Sequence, residues 1–183
     1  MRILFVTLSL ACACILSSCA GTIVTSPTHV PQKSASILHA LPNAEYPIKF
    51  TSTGKAQLKN GFFEESVAPG SATKTKIRLG KEQVFGDVNG DNAEDAAVTL
   101  VVDPGGSGTF IFLALVINKK GTAKPIASVL LGVRIIVKSL AIQSGSVVVT
   151  MLTRERGEPM SAEPKVEVTQ TFKLQGDTLD EVE

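Results

Sequence analysis

The sequence predicts an all-β domain, folded as a single antiparallel meander or sandwich, and it allows one short helix near the N-terminus. After Tyr46 the chain consists of short runs rich in Val, Ile, Thr and Phe, separated by Gly, Asn, Asp and Pro, the pattern of strands joined by turns. No segment in this part shows a sustained helical period. With 183 residues, of which 44% are hydrophobic and 19% charged, the chain holds enough apolar material for one core.

Residues 1–18 are typical of a secretion signal. Arg2 precedes an apolar run of 14 residues from Ile3 to Leu16, which is shorter than the roughly 20 residues that span a bilayer. The run ends in Leu16-Ser17-Ser18-Cys19, which resembles the lipobox of bacterial lipoproteins. The resemblance implies cleavage before Cys19 and acylation of its thiol, so that the lipid holds the protein to a membrane. An ordinary secretory leader is the alternative interpretation.

The three cysteines favour Cys19 as the lipidated residue. Cys12 and Cys14 lack an aliphatic residue at the place where the motif needs one, and both leave with the leader. Cys19 is then the only thiol, which excludes a disulfide within one mature chain. Ala20 follows it instead of Asp, which by the same resemblance implies an outer-membrane location facing the periplasm in a Gram-negative host.

Residues 19–43 are expected to form a flexible tether, because Ser, Thr, Ala and Pro dominate them. Pro27, Pro31 and Pro42 interrupt regular structure at intervals. His29 and His39 lie in this segment and are assigned no role.

A helical turn from Ser34 to Ala40 is allowed within this segment. It would place Ile37, Leu38 and Leu41 on one side at helical spacing. The globular domain is expected to span residues 44–183.

Eleven strands are predicted in that domain, each a β-rich run bounded by turn residues. They are Ile48–Phe50, Lys55–Leu58, Phe62–Glu65, Thr75–Leu79, Gln83–Phe85, Ala96–Val102, Thr109–Asn118, Ile126–Leu131, Ile135–Gln143, Ser146–Leu152 and Lys165–Leu174.

Turn signals between these runs predict hairpins. Asn60-Gly61 and Ser144-Gly145 are two-residue turns, and Gly121 and the Asp103–Gly108 loop join further pairs. The Asn60-Gly61 turn is expected to fold Lys55–Leu58 onto Phe62–Glu65.

Burial patterns predict where three of the strands lie. The runs Ala96–Val102 and Thr109–Ile117 are apolar on both faces, so they are expected at the centre of a sheet. The last run alternates apolar and polar residues, and Gln170 on its apolar face places that strand towards an edge.

One motif carries recognisable chemistry. Asp87, Asn89, Asp91 and Asp95 occupy positions 1, 3, 5 and 9 of a loop, and the carbonyl of Ala93 occupies position 7. Oxygen donors at this spacing can surround one hard cation, and calcium accepts such flexible oxygen coordination. A solvated turn built from Asp, Asn and Gly without any metal is the other interpretation that the residues leave open.

The loop differs from an EF-hand, because Val98 replaces the bidentate Glu at position 12 and Asn92 replaces the glycine at position 6. From Phe85-Gly86 through Asp95 it resembles the calcium loops of FG-GAP and VCBS-type β-propeller repeats, which lead into an apolar strand. A propeller needs several such blades and this chain has one, so the resemblance implies the calcium loop alone.

The stretch from Asn43 to Leu174 resembles a family of uncharacterised bacterial envelope proteins. The features that carry this resemblance are the acidic loop, the Gly105–Phe110 hairpin and Glu158-Pro159-Met160. The resemblance implies an envelope protein and no particular activity.

Charge and residue content exclude several functions. Since Arg2 is the only charged residue before Cys19, the rest of the chain carries 17 basic and 17 acidic residues, which disfavours nucleic-acid binding. Residues 44–183 contain no His, Cys or Trp, which excludes the usual nucleophile and base pairs and leaves Glu64-Glu65 and Asp180-Glu181 as adjacent carboxylates. We expect a non-catalytic module that binds an unknown envelope protein or polymer. The alternative is a metal-assisted, carboxylate-based hydrolase.

Overall fold

The structure, a computed structural model, describes residues 37–182, and its strands form three antiparallel sheets. Eleven strands are present within these residues. They are β1 (Glu45–Pro47), β2 (Lys55–Gln57), β3 (Phe62–Ser66), β4 (Lys74–Gly86), β5 (Asp95–Asp103), β6 (Phe110–Lys119), β7 (Thr122–Val133), β8 (Ile136–Gln143), β9 (Ser146–Thr153), β10 (Val166–Gln175) and β11 (Thr178–Val182).

Two of the sheets are meanders, because their strands neighbour one another in chain order. The five-stranded sheet has the order β3-β4-β5-β6-β7 and the four-stranded sheet the order β11-β10-β9-β8. The third sheet is the small hairpin of β1 and β2. Residues 37–58, which include this hairpin, are the N-terminal segment, and they form the N-terminal layer of the molecule. The predicted all-β class is confirmed.

The two runs expected at the centre of a sheet do lie there. In β5, residues 95–100 are all buried, and β6 is buried from Phe112 to Asn118. A strand that is apolar on both faces needs a layer on each side, and the chain supplies both layers.

One core lies between the five-stranded sheet and the N-terminal segment. Side chains of β5 and β6 such as Leu100 and Phe112 pack there against Ile37, Leu41 and Tyr46. Tyr46 is fully buried, and its hydroxyl donates a hydrogen bond to the carbonyl of Leu41 at 2.9 Å.

The second core lies between the five-stranded and four-stranded sheets. Ala97, Leu113 and Leu115 face Val149 and Phe172 across this interface. The molecule is therefore a β-sandwich with an additional N-terminal layer on the outer face of its larger sheet.

The N-terminal segment differs from its prediction in two respects. The first strand is Glu45–Pro47 instead of Ile48–Phe50, because the chain after Pro47 turns and closes with a hydrogen bond from Ile48 N–H to the carbonyl of Gly54. Residues 37–40 are helical and continue into a 3-10 turn, Leu41–Asn43. Ile37 and Leu41 are buried, whereas Leu38, expected on the same side, is 39% exposed. Residues 34–36 of the predicted helical turn lie outside the described residues.

The Asn60-Gly61 turn forms, but it does not make the predicted hairpin. Both residues have positive φ, 52° and 79°, as a type I′ turn requires. The turn joins β2 to β3, yet these strands belong to different sheets and only a single bridge from Lys59 to Phe62 connects the flanking residues.

Two further predictions, the split of β4 into two strands and the edge position of β10, are wrong. The runs predicted at Thr75–Leu79 and Gln83–Phe85 are one strand, interrupted by a bulge between Leu79 and Gln83. The strand β11 was not predicted, and it covers β10, so β10 lies inside the sheet instead of at its edge.

No helix within residues 37–182 has the length and hydropathy needed to cross a membrane.

Candidate functional site

The acidic loop connects β4 to β5 and folds around its own backbone amides. Asp87 accepts hydrogen bonds from the N–H groups of Gly90 (2.7 Å) and Asn92 (2.8 Å) through its two carboxylate oxygens. Asn89 and Asp91 accept from the N–H groups two residues ahead, at 2.9 and 2.7 Å. These are Asx turns, which explain the local fold of the loop.

Two residues of the loop adopt the left-handed backbone conformation that such a tight path requires. Gly90 has φ +80° and Asn92 has φ +61°. Asn92 stands where propeller-type calcium loops have a glycine, and asparagine enters this region more readily than most residues. Asn92 is therefore compatible with the tight path of the loop.

Asp95 differs from the other loop carboxylates because it is completely buried. Its Oδ2 accepts the N–H of Val88 at 3.0 Å, and its Oδ1 accepts the N–H of Asn118 at the end of β6 at 2.9 Å. The first of these bonds closes the loop, and the second fixes it to the neighbouring strand.

Hydrogen bonds and charges within the loop shift the pKa values of Asp87 and Asp95 in opposite directions. Hydrogen bonds from loop amides, with that of Asn92 the strongest, lower the pKa of Asp87. Burial raises the pKa of Asp95, and the negative charges of Asp91 and Asp87 raise it further, against the two N–H groups that lower it. The charges of Asp87 and Asp91 thus disfavour the ionised form of Asp95, and a cation in the loop would favour it.

The structure places the predicted ligands as follows. Asn89 and Asp91 are exposed, Asp87 and Ala93 are half-buried, and Asp95 is buried. Within residues 37–182, no group of three or more Asp, Glu, His or Cys side chains has the geometry of a metal site. Cys19 lies outside the described residues.

A second feature, which the sequence did not indicate, is an apolar groove of about 850 Å³. One wall is the edge strand β7 from Ile126 to Leu130, another is the N-terminal segment from Pro47 to Phe50, and the third is the β10–β11 turn with Leu179. These stretches are distant in sequence, so no local pattern could have revealed the groove.

A third feature joins two motifs of the sequence at one end of the sandwich. Arg134, in the link between the two sheets, donates hydrogen bonds to the carbonyl of Ser107 in the glycine-rich hairpin and to that of Met160 (3.2 Å). Its backbone is left-handed, with φ +51°. The Gly105–Phe110 hairpin and Glu158-Pro159-Met160 are therefore adjacent in space.

Comparison of the chain with protein-family models, with characterised proteins and with solved structures finds no match.

Proposed function

We propose that the protein is a lipid-anchored component of the bacterial cell envelope whose β domain is a non-catalytic binding module. The observation that carries this proposal is the groove. Its walls are aliphatic and aromatic, and Asp177, Asp180 and Lys49, its only ionisable side chains, belong to exposed residues. Small-molecule and peptide sites have this composition, with few polar groups around an apolar concavity.

The positions of the adjacent carboxylates support a non-catalytic role over the hydrolase alternative. Successive side chains of a strand point to opposite faces, so Glu64 and Glu65 in β3 diverge. Glu64 forms an ion pair with Lys74 at 2.5 Å, and Glu65 accepts hydrogen bonds from the backbone and hydroxyl of Ser52. Asp180 and Glu181 in β11 diverge for the same reason. Neither pair has the convergent geometry that acid and base groups need.

Calcium in the acidic loop is the second part of the proposal. Asp87, Asn89, Asp91 and Asp95, with the carbonyl of Ala93, would hold the ion. Each carboxylate oxygen of Asp87 accepts one N–H, which leaves a second lone pair for a cation. Since Asp95 is bonded to β6, the ion would fix the β4–β5 connection to the neighbouring strand, a structural role.

The anchor is tested by metabolic labelling with an alkyne fatty acid. We expect the parent chain to take up the label and the Cys19→Ser variant to lose it, together with its membrane association. Cys14→Ser is the control, because Cys14 lies in the leader and its loss should leave labelling unchanged. Equal labelling of Cys19→Ser would contradict the anchor.

The calcium site is tested by thermal unfolding with calcium and with a chelator. A ligand that binds only the folded state raises Tm, by roughly 5–10 °C at a hundred-fold excess over Kd for a domain of this size. The rise should disappear in Asp87→Ala and persist in Asp103→Ala. Asp103 is a matched control, since it also makes an Asx turn, to the N–H of Gly105, but lies outside the acidic loop. No rise in the parent chain would disprove calcium binding.

The binding role is tested by capturing envelope proteins and polymers on the immobilised domain, with hydrolase assays on envelope peptides and glycans in parallel. A partner retained without turnover supports the module. Turnover that is lost in Glu64→Gln or Asp180→Asn would favour the hydrolase instead.

A further inference from the structure

The two sheets of the sandwich approach each other on both sides. On one side, β4 contacts β8 so tightly that a Cβ added to Gly86 would lie 3.0 Å from the Cγ2 of Ile142. On the other side, the edge strands β7 and β11 contact each other, and the groove is lined by both strands and by the N-terminal segment. The groove therefore reaches the interior at the place where both sheets end.

The edge of β7 beside the groove is a short regular stretch between two bulges. Bulges interrupt its pairing with β6 between Leu115 and Val116 and between Ile111 and Phe112, and Pro125 removes one backbone donor. Four residues, 127–130, remain regular between the bulges. This length of about 13 Å matches an extended segment of roughly four residues.

The walls of the groove favour apolar side chains. The Phe50 ring lies 4.6 Å from that of Phe110 and 5.9 Å, edge to face, from that of Phe112. Leu130 at the rim is 45% exposed, although it lies opposite the buried Phe112 in the sheet. Burial of Leu130 and of the aromatic edges by a ligand would release water from apolar surface.

The charges at the rim distinguish between apolar ligands. Asp177 and Asp180 line the groove from the β10–β11 side, and Lys49 is the only basic lining residue. None of the three forms an ion pair within residues 37–182. Asp177 also lines a smaller neighbouring depression of about 230 Å³, together with Lys124 and the paired Glu45 and Lys55. Within the groove lining, two carboxylates stand against one ammonium group, which disfavours an anionic lipid headgroup and favours an ammonium or guanidinium group beside Asp180 and Asp177.

We propose that the groove binds an extended peptide segment that carries apolar side chains next to a basic residue. The apolar side chains enter between Phe50 and Leu130, and the basic residue lies at Asp177 and Asp180. This inference rests on the proposed role as a binding module and names the class of partner.

Two labelled peptides test the proposal by fluorescence anisotropy with the domain. One has the sequence Lys-Val-Ile-Val-Lys and the other Glu-Val-Ile-Val-Glu, both acetylated and amidated. We expect the lysine peptide to bind at least about five-fold more tightly than the glutamate peptide. In the double variant Asp177→Asn, Asp180→Asn, affinity for the lysine peptide should fall roughly three- to ten-fold, because exposed ion pairs contribute modestly. Equal affinity for both peptides would overturn the charge argument.

The groove itself is tested with Leu130→Lys, which should abolish binding of the lysine peptide. Val67→Lys is the matched control, because Val67 is equally exposed, at 49%, and does not line the groove. Both variants change an exposed side chain, and unfolding curves of the two show whether either alters the fold. Equal loss of binding in both would overturn the proposed location.

Other occupants give distinct results. If palmitate binds and neither peptide does, the occupant of the groove is an acyl chain and not a peptide. If the protein forms a concentration-dependent dimer and Leu130→Lys dissociates it, the occupant is a second copy of the chain. Failure of both peptides, with an envelope partner still captured by the immobilised domain without turnover, would reject this inference and leave the proposed function in place.

Discussion

Asp95 at the start of β5 and Asn118 near the end of β6 each bond through the side chain to the backbone of the other strand or of the loop before it. The Asp95 carboxylate accepts the backbone N–H of Asn118 at 2.9 Å, and the Asn118 side-chain amide donates to the carbonyl of Glu94 at 3.3 Å. The Asn118 side chain also accepts the N–H of Gly121 at 2.7 Å. The acidic loop and the β6–β7 turn are thus held by one buried hydrogen-bonded unit.

Replacing Asp95 with Ala should destabilise the fold strongly, even when a chelator removes all calcium. The N–H groups of Val88 and Asn118 would lose their acceptors in a buried place, and each such loss costs about 1–3 kcal/mol. We expect the free energy of unfolding to fall by about 3 kcal/mol, measured by urea denaturation. Asp103→Ala, which removes an exposed Asx turn, should cost less than about 1 kcal/mol. Equal effects would show that the Asp95 bonds contribute little.

Gly80→Ala should destabilise the β4 bulge through a steric conflict with one side chain. A Cβ at residue 80 would lie 1.9 Å from the Oγ1 of Thr99 and 3.1 Å from its carbonyl oxygen. Thr99 is buried, and its hydroxyl donates to the Glu82 carboxylate at 3.1 Å, so it has little freedom to move. We expect a loss of about 1–3 kcal/mol.

A double-mutant cycle with Thr99→Ala separates this conflict from a general effect of alanine in the bulge. Removal of the hydroxyl should recover part of the stability lost by Gly80→Ala, which gives a coupling energy of at least about 0.5 kcal/mol. Additive losses would contradict the proposed contact.

Tyr46 should make the protein less stable in alkaline solution. Burial raises the pKa of its phenol well above the ordinary value of 10.0. Because the folded-state pKa is the higher one, the unfolded chain loses the proton first, so the contribution is complete below pH 10 and is lost as pH rises above it. In Tyr46→Phe the free energy of unfolding should depend less on pH between about 9 and 11.

The same residue offers a direct spectroscopic readout. It is the only tyrosine of the chain, which has no tryptophan, so phenolate absorbance reports Tyr46 alone. The absorbance should rise together with unfolding. Ionisation near pH 10 in the folded protein would contradict the burial.

Arg134→Ala should loosen one end of the sandwich without greatly reducing global stability. The guanidinium is exposed and holds the carbonyls of Ser107 and Met160, which lie in separate loops. Hydrogen–deuterium exchange should rise in residues 105–109 and 158–163 and stay unchanged in β5 and β6. Arg156→Ala in the same loop region is the control. Unchanged exchange in Arg134→Ala would refute the role of these bonds.

The elements that sequence predicted well are those that local patterns determine. The residues 96–102 and 109–117 are apolar on both faces, so their central positions follow from burial alone. Ser144 and Gly145 have φ 49° and 75°, as expected of their two-residue turn between β8 and β9. The Asx turns of the acidic loop likewise depend on residues only two to five positions apart.

The features that sequence missed depend on distant contacts or on a signal that was present but weak. The strand β11 follows Gly176-Asp177, a turn signal between Leu174 and Leu179 that could have revealed it. The shift of β1 arises from the turn after Pro47, which closes with the hydrogen bond from Ile48 N–H to the carbonyl of Gly54. The groove brings together residues near positions 50, 128 and 178, and only the tertiary arrangement creates it.

The burial of Ile37 and Leu41 determines how mechanical load would enter the domain. Ile37, the first described residue, packs in the core of the N-terminal layer, not in the sandwich between the two large sheets. Under tension this layer would peel from the outer face of the five-stranded sheet before the strands of either large sheet separate. Detachment of this layer would lengthen the chain and leave the pairing within both large sheets intact.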